Sequence, residues 1–246
     1  SIRSHLCLYA KNIQGYRNLC KLSSESYISG HYYKPRLDWE LLEKYHEGLI
    51  LTTGCVAGIL SHYLLKNEIQ KAEAILERLL SIFKDDLYLE FILHPNSEKY
   101  KSDLYDKEVM ANERLLSFCS QYGIKGIITN DAHYINADDF FAHEVLLCIG
   151  TKTTMSDPKR LSFDIPEFHL KSEDELRKVF EPKYGKDIVD KLLDATLEIS
   201  KKCNVELKFD LQIPDFVVTD GRTQEDVLRD LCIEGWGKKI RGYVHN

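Results

Sequence analysis

The stretch Thr129-Asn130-Asp131-Ala132-His133-Tyr134 follows a short apolar run, Gly126-Ile127-Ile128, that reads as the end of a buried strand. In an extended chain Asp131 and His133, two positions apart, project to the same side and pair a carboxylate with an imidazole. Such a pair is half of a metal site, and two further places in the chain offer the other half. Gly54-Cys55 follows the run Leu49-Ile50-Leu51-Thr52-Thr53, and His94-Pro95 follows the run from Leu87 to Leu93. The spacing is even, 39 residues from Cys55 to His94 and 39 from His94 to His133. Parallel α/β barrels carry their chemistry on the loops that follow the C-terminal ends of the strands. A thiolate, two imidazoles and a carboxylate are therefore expected at one rim, a donor set suited to zinc and acceptable to manganese or iron. Taken singly the pieces are ordinary. An Asp-x-His is commonly a hydrogen-bonded turn, a Cys after Gly a small buried residue, and a His before Pro a strand terminator. Their agreement on strand position is what makes them candidates.

Repeated strand and helix units must position such a rim. Strand-like runs occur at Leu6-Cys7-Leu8-Tyr9, Leu49 to Thr52, Leu87 to Ile92 and Gly126 to Thr129. Helical spacing marks Glu68 to Phe83, with Ile69, Ala72, Leu76, Leu79, Leu80 and Phe83 on one face, and Lys107 to Tyr122, with Val109, Ala111, Leu115, Leu116, Phe118 and Cys119. Strands alternating with long helices indicate parallel βα units. A helix over Asp138 to Ile149 is expected to turn Phe141, Val145, Leu146 and Cys148 inward. Asp157-Pro158 and Ile165-Pro166 mark a loop. Ser172-Glu173-Asp174-Glu175 has capping-box spacing ahead of a further helix, and a long helix is expected from about Lys186 to Cys203. From Val205 to Val218 the chain reads as extended. Thr223 then caps a final helix holding Val227, Leu228, Leu231, Ile233 and Trp236.

Composition bounds the role. The chain has 246 residues, 43% hydrophobic and 29% charged, as in ordinary globular proteins. Its net charge of −6 argues against holding nucleic acid mainly through its overall charge. Cys7, Cys20, Cys55, Cys119, Cys148, Cys203 and Cys232 form no C-x-x-C pair, a usage expected of a reduced, cytoplasmic protein whose cysteines mostly serve as small buried residues. No membrane span or signal peptide is read from the sequence. The abrupt start at Ser1-Ile2-Arg3 and the end at Gly242-Tyr243-Val244-His245-Asn246 are those expected of a stretch from a longer chain.

Several motifs resemble one family in order along nearly the whole chain. They are His5-Leu6-Cys7-Leu8-Tyr9-Ala10-Lys11-Asn12, Gly15 to Ser24, Tyr33-Lys34-Pro35-Arg36, Gly48-Leu49-Ile50, Gly54-Cys55-Val56-Ala57-Gly58, Thr129 to Tyr134 and His143 to Ile149. Together they resemble the N-terminal PHP (polymerase and histidinol phosphatase) domain of bacterial replicative DNA polymerase III alpha subunits. Cys203-Asn204-Val205-Glu206-Leu207 resembles the end of that domain. Pro214-Asp215-Phe216 and Leu228 to Gly235 resemble the entry into the polymerase palm.

The resemblance implies an α/β fold: an incomplete, distorted (β/α)7 PHP barrel over residues 1–205, lacking its N-terminal strands and helices, then a linker and the first palm elements over 206–246. It implies Cys55, His94, Asp131 and His133 as metal ligands. The remaining ligands, an H-x-H motif, an Asp-His pair and a Glu, would precede Ser1. A complete domain would hold up to three zinc or manganese ions, and magnesium would serve polymerase catalysis outside this segment. The implied chemistry is metal-assisted phosphoester hydrolysis at a DNA 3′ end or of pyrophosphate. A structural role as a dock for a proofreading exonuclease is the competing implication, and a stand-alone metallophosphoesterase of the same superfamily is a third. Implied partners are the rest of the polymerase chain, primer-template DNA, the proofreading subunit and the sliding clamp.

His143 and His5 fall within the motifs without being expected to ligate metal. His143 is a candidate support for the loop beside the ligands, by hydrogen bonding. Asp85-Asp86 and Asp138-Asp139 are expected at element boundaries, and Lys238-Lys239-Ile240-Arg241 at a solvated helix end. Tyr32, Tyr33 and Trp39, near Lys34 and Arg36, could stack bases. Packing on outer helices is their expected role.

Overall fold

A computed structural model describes residues 3–209 and 214–239. Ile240, Arg241, the C-terminal Gly242 to Asn246 and residues 210–213 of the extended stretch lie outside the described residues. The chain divides into two compact units, Ser1–Glu206 and Leu207–Asn246.

The first unit is mixed α/β, built on four strands in the order β1 (Cys7–Ala10), β2 (Leu49–Thr52), β3 (Leu87–Phe91) and β4 (Lys125–Ile128). β2, β3 and β4 are parallel, with Leu51 opposite Leu87 and Phe91 opposite Ile128. β1 departs from the parallel expectation, running antiparallel to β2 with Cys7 opposite Thr52 and Ala10 opposite Leu49. The reason lies in the connection. Two helices, α1 (Ile13–Ile28) and α2 (Trp39–Tyr45), separate β1 from β2, so the chain reverses once more than a single crossover helix allows. Between the later strands one long helix does the returning: α4 (Ile69–Phe83), after the single turn of α3 (Ser61–Leu64), and then α5 (Leu104–Tyr122).

A backbone contact sets α1 against β2. Asn12 caps α1 by accepting from the Gly15 N–H (3.0 Å), and the Lys11 N–H donates to the Gly48 carbonyl (2.8 Å). A Cβ on Gly15 would stand 2.0 Å from the Gly48 oxygen, and Gly48 itself sits at φ +73°. Neither position accepts a side chain without moving the helix.

Strands buried on both faces read as continuous apolar runs, and the sheet is packed accordingly. Leu49, Leu51, Leu87, Leu89, Phe91 and Ile128 join the main core with Leu76, Leu79, Leu115 and Phe118. Ile50, Tyr88 and Ile127 face a smaller cluster with Ala195 and Ile199. The helix α8 (Lys186–Lys202) serves both sides, giving Val189, Leu192 and Leu193 to the first cluster and Ala195 and Ile199 to the second. It thereby runs along the edge of β4, where the Thr196 hydroxyl accepts from the Ile128 N–H (3.2 Å) and meets the Ile128 carbonyl at 3.1 Å. Lower on the same edge, Lys125 donates to Glu198 (2.5 Å), which also accepts from the Tyr88 hydroxyl (2.9 Å). The Lys125 and Lys202 ammonium groups hold the Glu198 carboxyl down at about 2.

The helix α7 (Glu173–Tyr184) begins with the expected box, Ser172 accepting from the Glu175 N–H and Glu175 accepting from the Ser172 N–H (2.8 Å). The helix α6 (Phe140–Thr151) follows a one-turn 3-10 segment, Ala137–Asp139, so Asp138-Asp139 do mark a boundary. Its buried face differs from the expected one. Glu144 and Cys148 are buried, whereas Phe141 and Leu146 are exposed at 67% and 64%. The helix is almost wholly apolar, which blurs its periodicity, and the side chain that turns inward is held by polar contacts described below.

The cysteines also depart from expectation. All seven are free, yet only Cys148 is buried, Cys20 and Cys232 are exposed, and the rest are half-buried. No described helix is long and apolar enough to cross a membrane. In the second unit, α9 (Gln224–Lys239) starts where Thr223 accepts from the Asp226 N–H (3.1 Å), and it buries none of its residues.

Candidate functional site

β2, β3 and β4 end on the same edge of the sheet, and a buried carboxylate ties their ends together. Glu90, on β3, accepts from the Thr52 hydroxyl (2.6 Å), the Gly54 N–H (3.0 Å) and the Thr129 hydroxyl (2.6 Å). Beyond this knot the chain of β2 turns at Gly54, φ +75°, and presents Cys55. Cys55, His94 and Asp131 all line one cavity of about 300 Å³, whose other wall comes from Ser162, Phe163, Asp164 and Phe168 of the loop after α6. Burial pushes the Cys55 thiol up, and the Asp131 and Glu90 carboxylates add to that shift.

His94 is 1% exposed and fully engaged. Its Nδ1 lies 2.6 Å from Glu108 Oε1, while its backbone N–H donates to Glu108 Oε2 (2.7 Å). Its Nε2 lies 3.1 Å from the Asn130 carbonyl oxygen. The ring is covered by Phe168, centroids 4.2 Å apart and planes 28° off parallel. Both ring nitrogens therefore face acceptors inside the protein.

Asp131 and His133 lie beyond the strand rather than on it, so the extended geometry behind the expectation of a shared side does not hold for them. β4 ends at Ile128, and Asp131 takes φ +46°, so the alternation of an extended chain fails between the two residues. Asp131 faces the cavity with Cys55 and His94. His133 is exposed and packs its ring against Phe163 (4.7 Å) and Phe168 (5.7 Å). Its Nδ1–H donates to the Asp131 carbonyl (2.6 Å), which leaves Nε2 as the acceptor nitrogen, the tautomer a metal ligand needs.

As they stand, Cys55, His94, Asp131 and His133 do not fit a metal ion. Among the described residues no three His, Cys, Asp or Glu side chains converge as ligands, and both His94 ring nitrogens lie against protein oxygens.

His143 does not hydrogen-bond the neighbouring loop as expected. Its Nδ1 is buried without a partner among the described residues, and its ring packs on Phe163 (4.9 Å) and Tyr134 (5.3 Å). The next residue holds the loop instead. Glu144 accepts from the Phe163 N–H (2.9 Å), the Ser162 hydroxyl (2.7 Å) and the Arg160 guanidinium. Burial alone would raise the Glu144 carboxyl, but these donors outweigh it and hold it below the usual carboxylate range.

Glu90, Glu108 and Glu144 are thus the buried carboxylates of the site, and none of them is among the candidates read from the sequence. A signal existed for two of them. Glu90 interrupts an otherwise apolar strand, and Glu108 sits on the inward stripe of α5 with Ala111, Asn112 and Leu115.

Comparisons with known proteins bear on this geometry. Residues 2–94 match the sequence model of the PHP domain. The chain is 38% identical over 236 residues to the DNA polymerase III subunit alpha of Thermus aquaticus, covering 94% of this chain and 18% of that protein. Similar relatives of the same name occur in Borreliella burgdorferi, 35% identical over 94% of this chain and 19% of the relative, and in Aquifex aeolicus, 36% identical over 96% and 20%. The chain therefore spans about a fifth of the length of the curated relatives it matches. Residues 2–94 are thus similar to the PHP domain, and nearly the whole chain is similar to a part of DNA polymerase III alpha subunits.

Proposed function

We propose that this chain is the PHP stretch, residues 1–205, with the linker and first palm elements, residues 206–246, of a DNA polymerase III alpha subunit that works in bacterial-type DNA replication in the cytoplasm. Collinear similarity to relatives of that name over 94% or more of the chain supports this reading. The parent enzyme is then a DNA-directed DNA polymerase whose nucleotide-transfer residues lie outside this segment. Primer extension by this chain alone should yield no product, and any extension overturns the assignment of domains.

Within that parent the segment acts as a structural platform that braces the polymerase. Its partners are the rest of the chain, primer-template DNA through it, the proofreading exonuclease and the sliding clamp. The observation behind this reading is the His94 imidazole, buried with its two ring nitrogens against Glu108 and the Asn130 carbonyl rather than joined with other candidate ligands. The test is pull-down of the proofreading subunit by the full-length polymerase. Retention by a Cys55→Ala, Asp131→Ala double variant supports docking, and loss overturns it.

A second reading, metal-dependent phosphoester hydrolysis with zinc or manganese, is favoured by two observations. Cys55, His94 and Asp131 face one cavity, and the tautomer of His133 leaves Nε2 open. It requires ligands beyond these four. Elemental analysis of the full-length protein decides it: bound metal that falls on His133→Ala supports a centre, and stoichiometry indifferent to that change counts against one.

A further inference from the structure

A second cavity, of about 690 Å³, shares no lining residue with the first. Its walls include Arg3, His5, Lys34, Arg36, Trp39 and Tyr63. Trp39 packs on the core, as expected, with the Arg78 guanidinium 4.4 Å from its ring. Tyr32 and Tyr33 depart from the packing role expected of them, at 61% and 84% exposure.

They sit on a tight turn in which the Tyr32 N–H donates to the Lys34 carbonyl (3.1 Å). Tyr33, at the tip, takes φ +59°, a conformation that favours glycine. Its ring lies edge-on to Tyr32 at 4.6 Å, and the Arg36 guanidinium stands 4.8 Å from the Tyr32 ring. Burial does not account for two neighbouring tyrosines held out in water, one of them on a strained backbone.

The charge here runs against the rest of the molecule. In a chain of net charge −6, the cavity gathers Arg3, Lys34 and Arg36 against one lining carboxylate, Asp38. Asp38 is already occupied, capping α2 by accepting from the Leu41 N–H (2.9 Å). None of the three cations forms an ion pair with another described residue.

We propose that this surface binds a single-stranded polynucleotide, with phosphates along Arg3, Lys34 and Arg36 and unpaired bases stacked on Tyr32 and Tyr33. Exposed aromatic faces interleaved with free cations are the means by which proteins hold single strands without reading their sequence. A duplex keeps its base faces stacked inside and offers nothing for the two rings. The inference rests on this surface alone and stands whichever reading of the rim holds.

The test is fluorescence anisotropy of this chain with a fluorescein-labelled oligothymidylate across a salt series. Tyr32→Ala with Tyr33→Ala should weaken binding about tenfold or more at every salt concentration. Lys34→Glu with Arg36→Glu should flatten the salt dependence, by a slope of about 0.7 for each phosphate no longer neutralised. Tyr33→Gly, which relieves the backbone while deleting the ring, should also weaken binding, and circular dichroism should find it folded. Binding untouched by the tyrosine changes overturns the proposal. So does equal affinity for a duplex, or displacement by polyglutamate that ignores the tyrosines, which would mark a surface for an acidic protein.

Discussion

His94 and His133 sit on one rim at equal sequence intervals and meet opposite fates. His94 is sealed beneath Phe168 with a carboxylate on one nitrogen and a carbonyl by the other, whereas His133 is exposed, tied at one nitrogen and open at the other. Residue type and spacing equate them, and their hydrogen bonds separate them. A histidine's use follows from which of its lone pairs the protein leaves unspent.

The sharpest way to break this contrast is at Glu108. Glu108→Ala strands the His94 ring and its backbone N–H in a buried site, and a loss of about 3 kcal/mol in urea unfolding is expected. A loss below about 1 kcal/mol would mean that His94 is not held as described. Next comes the loop that covers both rings. Glu144→Ala removes the acceptor shared by Arg160, Ser162 and Phe163, with an expected cost of about 2 kcal/mol and faster hydrogen exchange at the Phe163 amide. Unchanged exchange would show that the loop is held from elsewhere.

Glu198 probes the far side of the same sheet and adds a pH dependence. Its carboxyl is depressed to about 2 from an ordinary value of 4.5, so its contribution is present above pH 4.5 and is lost as pH falls toward 2. Glu198→Gln should cost about 1 kcal/mol near neutrality, and the gap to the parent should close over that window in urea titrations at stepped pH. A gap that persists at about pH 2 would contradict the assignment. The smallest effect belongs to His133. His133→Ala, at an exposed ring, should shift stability by no more than about 0.5 kcal/mol. A cost near that of Glu108→Ala would erase the distinction between the two histidines.

Much of the scaffold is legible in the residues alone. The four strands announce themselves as apolar runs between punctuation, and α4, α5, α7, α8 and α9 through periodicity or caps. Legibility fails where two signals compete. In α6, apolar residues on every side hide the face, and Glu144 looks like ordinary helix polarity. Two helices between β1 and β2 reverse a strand that spacing alone makes parallel. At the rim, the candidates at Cys55, His94 and Asp131 are readable because strand ends are readable. The place of His133 outside the cavity lining is not, because the chain leaves extended geometry at Asp131, at a backbone angle that a non-glycine residue rarely adopts. The carboxylate partners are hidden for a related reason: Glu108 meets His94 across a gap of 14 residues, through packing rather than periodicity.

Thr196 stands where another strand would lie beside β4. By accepting from the Ile128 N–H and meeting its carbonyl, a single hydroxyl imitates the backbone of an absent neighbour and ends the ladder there. With both of its backbone groups engaged, Ile128 offers a second chain no ladder bond at that point of the sheet margin.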